Sequence, residues 1–278
     1  MTAERFGTDG IRGIAGETLT VDTAARLGAA LAARYPQSLA LIGRDTRPSG
    51  PSLVASLVAA LGQAGSAAID LGVLPTPGLA ALVAGAPEVA YGVVVTASHN
   101  PVEYNGLKVL GRNGRKIPDA EERALEALMA SSTGSEQIAR TSIADSSGGS
   151  AAPRVPLDAE LLRQRYVHAL AAVATHEVPG RGAAHLTVVA DASFGAAAGF
   201  VVPALEATGA TVIPFATEGG IINDGVGATS PGALAAAVVE SGADLGVAVD
   251  GDADRCVAVD EAGRIVDGDV LIALLALD

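Results

Sequence analysis

Ser98 lies in the run Thr96-Ala97-Ser98-His99-Asn100-Pro101, directly after a near-continuous apolar segment, Val89 to Val95. The segment reads as a buried strand. A strand that ends abruptly in small polar residues presents them at the rim of a sheet, where open α/β folds bind ligands. A serine displayed there is a candidate nucleophile or phosphate carrier. Far along the chain, Asp250, Asp252 and Asp254 are spaced i, i+2, i+4 after a second apolar run, Leu245–Val249. In an extended segment alternate side chains share one side, so the three carboxylates crowd and repel. A divalent cation removes that repulsion, and hard oxygen ligands select Mg²⁺, Mn²⁺ or Ca²⁺.

Each feature alone has an ordinary reading. Ser98 could be a cap or turn residue, and the aspartates a solvated acidic turn. Two sharper rivals fail on their own patterns. An EF-hand would place Asp at its first, third and fifth positions and Glu at its twelfth, which Asp250 to Glu261 satisfies. Its sixth position should be glycine and is Arg255, and the flanks read as strands rather than helices. A serine esterase lacks support because no G-x-S-x-G elbow surrounds Ser98. Adjacent residues of an extended strand also point apart, which would place His99 poorly as a base for Ser98. Phosphoryl chemistry fits better, since it relies on positioning and on charge neutralisation by metal and basic groups. His168, His176 and His185 have no metal-type spacing.

The elements that must position these residues alternate. Helical patterns over Val21–Arg34, Pro51–Ala64, from Pro75-Thr76-Pro77 onward, and over Asp119–Ala130 separate apolar strands at Ser38–Ile42, Ala67–Leu71 and Val89–Val95. Ser131–Pro156, poor in large apolar groups, reads as an interdomain connection. A second series follows: helix Leu157–Ala174, strand Leu186–Ala190, helix Gly195–Thr208, strand Thr211–Phe215, helix Gly232–Ser241 and strand Leu245–Val249. The fold class implied is α/β, with two successive mixed-sheet domains. Paired strands at Val257–Val259 and Arg264–Val266 and an apolar helix from Asp269 read as the start of a third. The expected boundaries are 1–150, 151–249 and 250–278.

Composition limits the remaining choices. The 278 residues are almost half apolar, without tryptophan, and no apolar stretch reaches membrane-spanning length. No signal peptide is evident, and a single cysteine, Cys256, excludes an intrachain disulfide, so a cytoplasmic location is the default expectation. A net charge of −13 argues against nucleic acid as a partner. It leaves room for a phosphorylated small molecule if basic residues gather in one cleft. Arg12, Arg44, Arg47, Lys108 and Arg255 are expected to lie in Gly- and Asp-rich loops, where each is either such a group or a surface charge.

Four segments together resemble the α-D-phosphohexomutase superfamily, in the family order and across the whole chain. They are Phe6-Gly7-Thr8-Asp9-Gly10-Ile11-Arg12-Gly13, the loop Gly43–Gly50, Thr96–Pro101 with Asn105-Gly106-Leu107-Lys108, and Asp250–Arg255. The opening motif, Asn223 with Gly227-Ala228-Thr229, and Asp267-Gly268-Asp269 are most similar to the bacterial phosphoglucosamine mutase branch. The resemblance implies an isomerase that carries phosphate on Ser98. It would interconvert glucosamine 6-phosphate and glucosamine 1-phosphate through a 1,6-bisphosphate, feeding UDP-N-acetylglucosamine and cell-wall synthesis. Mg²⁺ would be shared by Ser98, Asp250, Asp252 and Asp254. Arg12, Lys108 and Arg255 would neutralise the moving phosphoryl group, with Lys108 also in proton transfer. His99 would shape the loop, and Thr8 and Asn100 would join the phosphate or substrate contacts. A sugar phosphate is the implied partner, no membrane is, and a homodimer stays open.

The sequence also departs from that family. Members have four domains, with a Glu-x-Ser-Gly-His loop in the third and a Ser/Gly/Thr-rich, arginine-bearing loop in the fourth, and neither loop occurs here. The expectation is a chain that stops inside its third domain, turns over sugar phosphate poorly on its own and exposes an apolar face. A sister enzyme for phosphomannose or phosphoglucose, and a non-catalytic metal- or sugar-phosphate-binding fragment, remain the alternatives.

Overall fold

The computed structural model describes residues 5–131, 157–176, 183 and 185–277. The connection expected over Ser131–Pro156 lies outside them except for Ser131. The first sheet is built from β1 (Ile11–Ile14), β2 (Leu39–Arg44), β3 (Ala67–Val73), β4 (Tyr91–Val95) and β5 (Tyr104–Gly111), in the order β1-β5-β4-β2-β3. Strands β2, β3 and β4 are parallel, while β5 runs antiparallel to both β4 and β1. Helices α1 (Val21–Arg34), α2 (Gly50–Gln63), α3 (Thr76–Gly85) and α4 (Asp119–Ala130) connect or flank them.

Alternation along the strands makes this a three-layer unit. Ala40, Ile42, Val93 and Val95 face a core shared with Leu27 and Leu31 of α1 and Leu57 and Leu61 of α2. Leu39, Leu41 and Val94 face the opposite core, with Leu79 and Val83 of α3 and with Leu162 and Tyr166 of α5 (Ala159–His176). A period of two on strands buried on both faces produces the continuous apolar runs seen in the sequence. Helix α1 starts at a capping box, in which Thr20 accepts from the Thr23 backbone N–H.

The second sheet repeats the plan. Strands β6 (Thr187–Asp191), β7 (Thr211–Phe215), β8 (Leu245–Val249), β9 (Cys256–Asp260) and β10 (Ile265–Val266) stand in the order β10-β9-β8-β6-β7. Again three neighbouring strands, β7, β6 and β8, are parallel, while β9 runs antiparallel to both β8 and β10. Its core sets Val189, Ala248 and Val259 against Leu234 and Val238 of α7 (Gly232–Ser241).

Three expectations are corrected. The strands near Val257 and Arg264 do pair, but as β9 and β10 they complete the second sheet instead of opening a third unit. The helix expected over Gly195–Thr208 is confined to α6 (Val201–Glu206), because Ser193 and Phe194 take positive φ values of 59° and 51° and turns occupy the residues up to Phe200. Arg12 and Lys108 stand on strands β1 and β5, not in loops. The last helix, α8 (Gly268–Leu277), leaves Ile272, Leu274, Leu275 and Leu277 exposed.

Candidate active site

The site forms where the carboxyl ends of β4 and β8 meet. Strand β4 delivers Ser98 and β8 delivers Asp250, which is fully buried. Ser98 Oγ donates to Asp250 Oδ2 at 2.7 Å and receives a hydrogen bond from Arg255 Nη2 at 3.1 Å. Arg255 also reaches Asp250 Oδ2 through Nη2 at 2.8 Å and Nε at 3.1 Å. Two residues of opposite charge, five positions apart on one loop, thus converge on a hydroxyl from a loop 152 residues away in sequence.

Ser98 itself has φ of +53°, in the left-handed region that non-glycine residues seldom occupy. This overturns the expectation that Ser98 and His99 point apart, which assumed extended backbone. His99 Nδ1 lies 3.3 Å from Ser98 Oγ. Burial, then the nearby Arg255 and Arg12 charges, hold the His99 pKa below its ordinary value. These causes favour the uncharged imidazole, although the Ser98 hydroxyl donates to Asp250.

The three aspartates can each turn one carboxylate oxygen into a common space, with those oxygens within 4.8 Å of one another. Asp252 Oδ2 accepts from Thr76 Oγ1 at 2.6 Å, and the Thr76 N–H donates to the Asp252 carbonyl at 2.9 Å. Asp252 Oδ1 is buried without a hydrogen-bond partner among the described residues. Burial raises the Asp252 pKa to about 7, helped by repulsion from Asp250 and Asp254, and Asp254 is raised for the same reasons. An orphaned buried carboxylate oxygen among like charges is a costly arrangement that a hard divalent cation relieves, so the residues fit a metal.

The basic groups assemble on the β1–β5 pair. Arg12 stands opposite Gly106, which puts it on the same face as Lys108. Asp9 bridges them, with Oδ2 2.8 Å from Arg12 Nη2 and Oδ1 2.8 Å from Lys108 Nζ. Burial opposes the Asp9 charge, but Lys108 and Arg12 outweigh it and hold the carboxyl below its usual range. Thr8 is not drawn into this cluster: it sits on the exposed turn before Asp9 and lines a separate cleft of about 450 Å³ with Lys116 and Arg123. Asn100 contributes its carbonyl, which accepts from Arg47 Nη2 at 2.7 Å and Asn223 Nδ2 at 3.3 Å.

The sequence left Thr76, Asp9 and Asp45 without roles and weighed Arg47 as either a basic group of a phosphate-binding cleft or a surface charge. Arg47 is fully buried. The Pro-Thr-Pro opening of α3 gave no chemical signal, because the partner of Thr76 lies 176 residues away.

Models of the phosphoglucomutase/phosphomannomutase α/β/α domain I and domain II match residues 3–136 and 164–263. The chain belongs to this family, within the α-D-phosphohexomutase superfamily. It is similar to the phosphoglucosamine mutase of Mycolicibacterium vanbaalenii, at 42% identity over 99% of this chain and 60% of that protein. The Mycobacterium ulcerans phosphoglucosamine mutase gives 43% over 98% and 59%. A solved phosphoglucomutase/phosphomannomutase family protein of Burkholderia thailandensis superposes with a TM-score of 0.75 at 25% identity, covering 99% of this chain and 58% of that one. The chain therefore spans about three-fifths of the length of the curated relatives it matches.

Proposed function

We propose that this chain carries the phosphoryl-transfer centre of a phosphoglucosamine mutase, with Ser98 as the phosphate carrier. The carrying observation is the placement of Ser98 Oγ between Asp250 and Arg255, beside the unpartnered Asp252 oxygen. The likeness to two phosphoglucosamine mutases supports glucosamine phosphate as the substrate.

In this reading the bond between Ser98 Oγ and phosphorus breaks as a sugar hydroxyl oxygen takes the phosphoryl group. Arg255, already 3.1 Å from Oγ, neutralises charge on the departing serine oxygen. Arg12 and Lys108, aligned by Asp9, face the phosphoryl oxygens. In the forward direction the sugar hydroxyl proton ends on the Ser98 oxygen that the phosphoryl group leaves, and in the reverse direction it returns to the sugar oxygen, with Lys108 the proposed relay for that proton. Transfer to one hydroxyl and return from the other converts the 6-phosphate to the 1-phosphate through the bisphosphate. Asp250, Asp252 and Asp254 would hold Mg²⁺, which when bound supplies charge neutralisation for the phosphoryl group. Residues 1–150 are the proposed first unit, completed by the α5 helix that packs on its sheet, and the proposed second unit runs from β6 past residue 249 to include β9 and β10.

The test is to incubate the chain with glucosamine 1,6-bisphosphate and Mg²⁺ and map phosphate by peptide mass spectrometry. Phosphate is expected on Ser98, and none on the chain after S98A. A wild-type chain that stays unmodified overturns the reading.

A further inference from the structure

We infer that Arg47, Asp45 and Thr96 form a buried clasp that imposes the left-handed turn at Ser98, and that they are positioning residues for phosphoryl transfer. The second part rests on the function proposed above.

Arg47 is wholly shielded from solvent, and every guanidinium N–H is used. Nε donates to Asp45 Oδ2 at 2.9 Å. Nη1 donates to the carbonyls of Pro101 and, at 2.8 Å, Tyr104. Nη2 donates to those of Ser98 at 3.0 Å and Asn100 at 2.7 Å. One side chain therefore satisfies four carbonyls of the loop that leaves β4 and returns as β5. Asp45 closes the circuit: its Oδ2 also accepts from Thr96 Oγ1 at 2.6 Å, and Thr96 Oγ1 accepts from the Ser98 N–H at 2.9 Å.

The Ser98 residue is thus held on both sides, through Thr96 at its N–H and Arg47 at its carbonyl. None of the bonds that Asp45 and Arg47 make reaches Ser98 Oγ, so they act through the backbone. A buried cation is retained against a large desolvation cost only when its hydrogen bonds are complete, as they are here. Lysine could not replace it, because a point ammonium with three donors cannot span four carbonyls as a planar fork does. The object of the clasp is a single uncommon φ, and strain of that kind persists only where surrounding bonds over-determine it.

The test uses the full chain with R47K, T96V and T96S. Amide exchange by NMR is read at Ser98 and Asn100, with Val93 and Val94 of β4 as controls. R47K and T96V should speed exchange at Ser98 and Asn100 by about 10- to 100-fold, as loss of a buried hydrogen bond implies, while the controls stay slow. The rate constant for phosphate acceptance from glucosamine 1,6-bisphosphate should fall about 100-fold, with little change in KM. T96S keeps the hydroxyl and should restore both readouts. The inference is overturned if exchange at Ser98 and Asn100 stays at the wild-type rate, or if T96S behaves like T96V. Should R47K fail to fold, the near-isosteric T96V and its T96S rescue decide. If the wild-type chain accepts no phosphate, the proposed function fails and the exchange data alone judge the clasp.

Discussion

Asp252 is a carboxyl whose burial and neighbours oppose its charge, with a pKa near 7 in place of the usual carboxylate value. The sign of the consequence follows from where the proton sits. Between roughly pH 4 and 7 the folded chain holds a proton at Asp252 that the unfolded chain has released. Stability of the metal-free chain is therefore full at the acid end of that window and is lost as pH rises through it. A cation competes with the same proton, so its stabilisation grows in the opposite sense. Thermal melts at about pH 5.5 and pH 8 should show a larger Mg²⁺-induced rise in Tm at the higher pH, at ~2–4 °C per kcal/mol of binding. D252N should remove most of both effects. An equal Mg²⁺ shift at the two pH values would contradict this assignment. The three aspartates were legible in the sequence because their spacing is local. Thr76, Asp45 and the burial of Arg47 were not, since each takes its meaning from a partner on another element.

At the scale of elements, the Ser98 loop and the Asp250 loop press on one another through backbone. A Cβ added at Gly251 would lie 2.6 Å from the Ser98 carbonyl oxygen and 2.9 Å from Asn223 Nδ2, which bonds that same oxygen at 2.8 Å. Neither backbone can yield without moving a functional group. G251A should leave both sheets intact at a cost of ~1–3 kcal/mol from overpacking. Phosphate acceptance by Ser98 should drop by about 100-fold, because misplacement on the scale of an ångström is enough to lose that much. Denaturant melts and the acceptance rate read the two effects separately, and an unchanged rate would show that the loops move independently. Most helices and the parallel strands were legible, since continuous apolar runs bounded by Gly and Pro have few alternatives. Strands β1 and β5 were not: Ile11–Ile14 and Tyr104–Gly111 carry Arg12, Asn105 and Lys108 within them and read as polar motif, while their strand character comes from antiparallel pairing.

Over the whole molecule, the two sheets share one connectivity: β2-β3-β4-β5 in the first corresponds to β6-β7-β8-β9 in the second. In both, an aspartate at or just past the end of the first of these strands is buried and accepts from the N–H two residues on. These are Asp45 with Arg47 and Asp191 with Ser193. The candidate site lies between the matching β4–β5 and β8–β9 loops, so it exists only while the units are docked. Phe200, 4% exposed, is a main tie: its ring lies 5.3 Å from that of Tyr166 on α5, and the Arg163 guanidinium sits 5.3 Å from its centroid. Removing the ring should cost ~3–5 kcal/mol. That cost falls on the docking more than on either sheet, since Phe200 belongs to the core that α3 and α5 build on the first sheet. F200A should therefore lower Tm and divide the calorimetric transition into two. It should also reduce phosphate acceptance at Ser98 more than Mg²⁺ binding, because all three aspartates lie on one loop while Ser98 reaches them only across the interface. A single sharp transition with both functions equally reduced would mean that the units fold as one and that Phe200 stabilises them without orienting them.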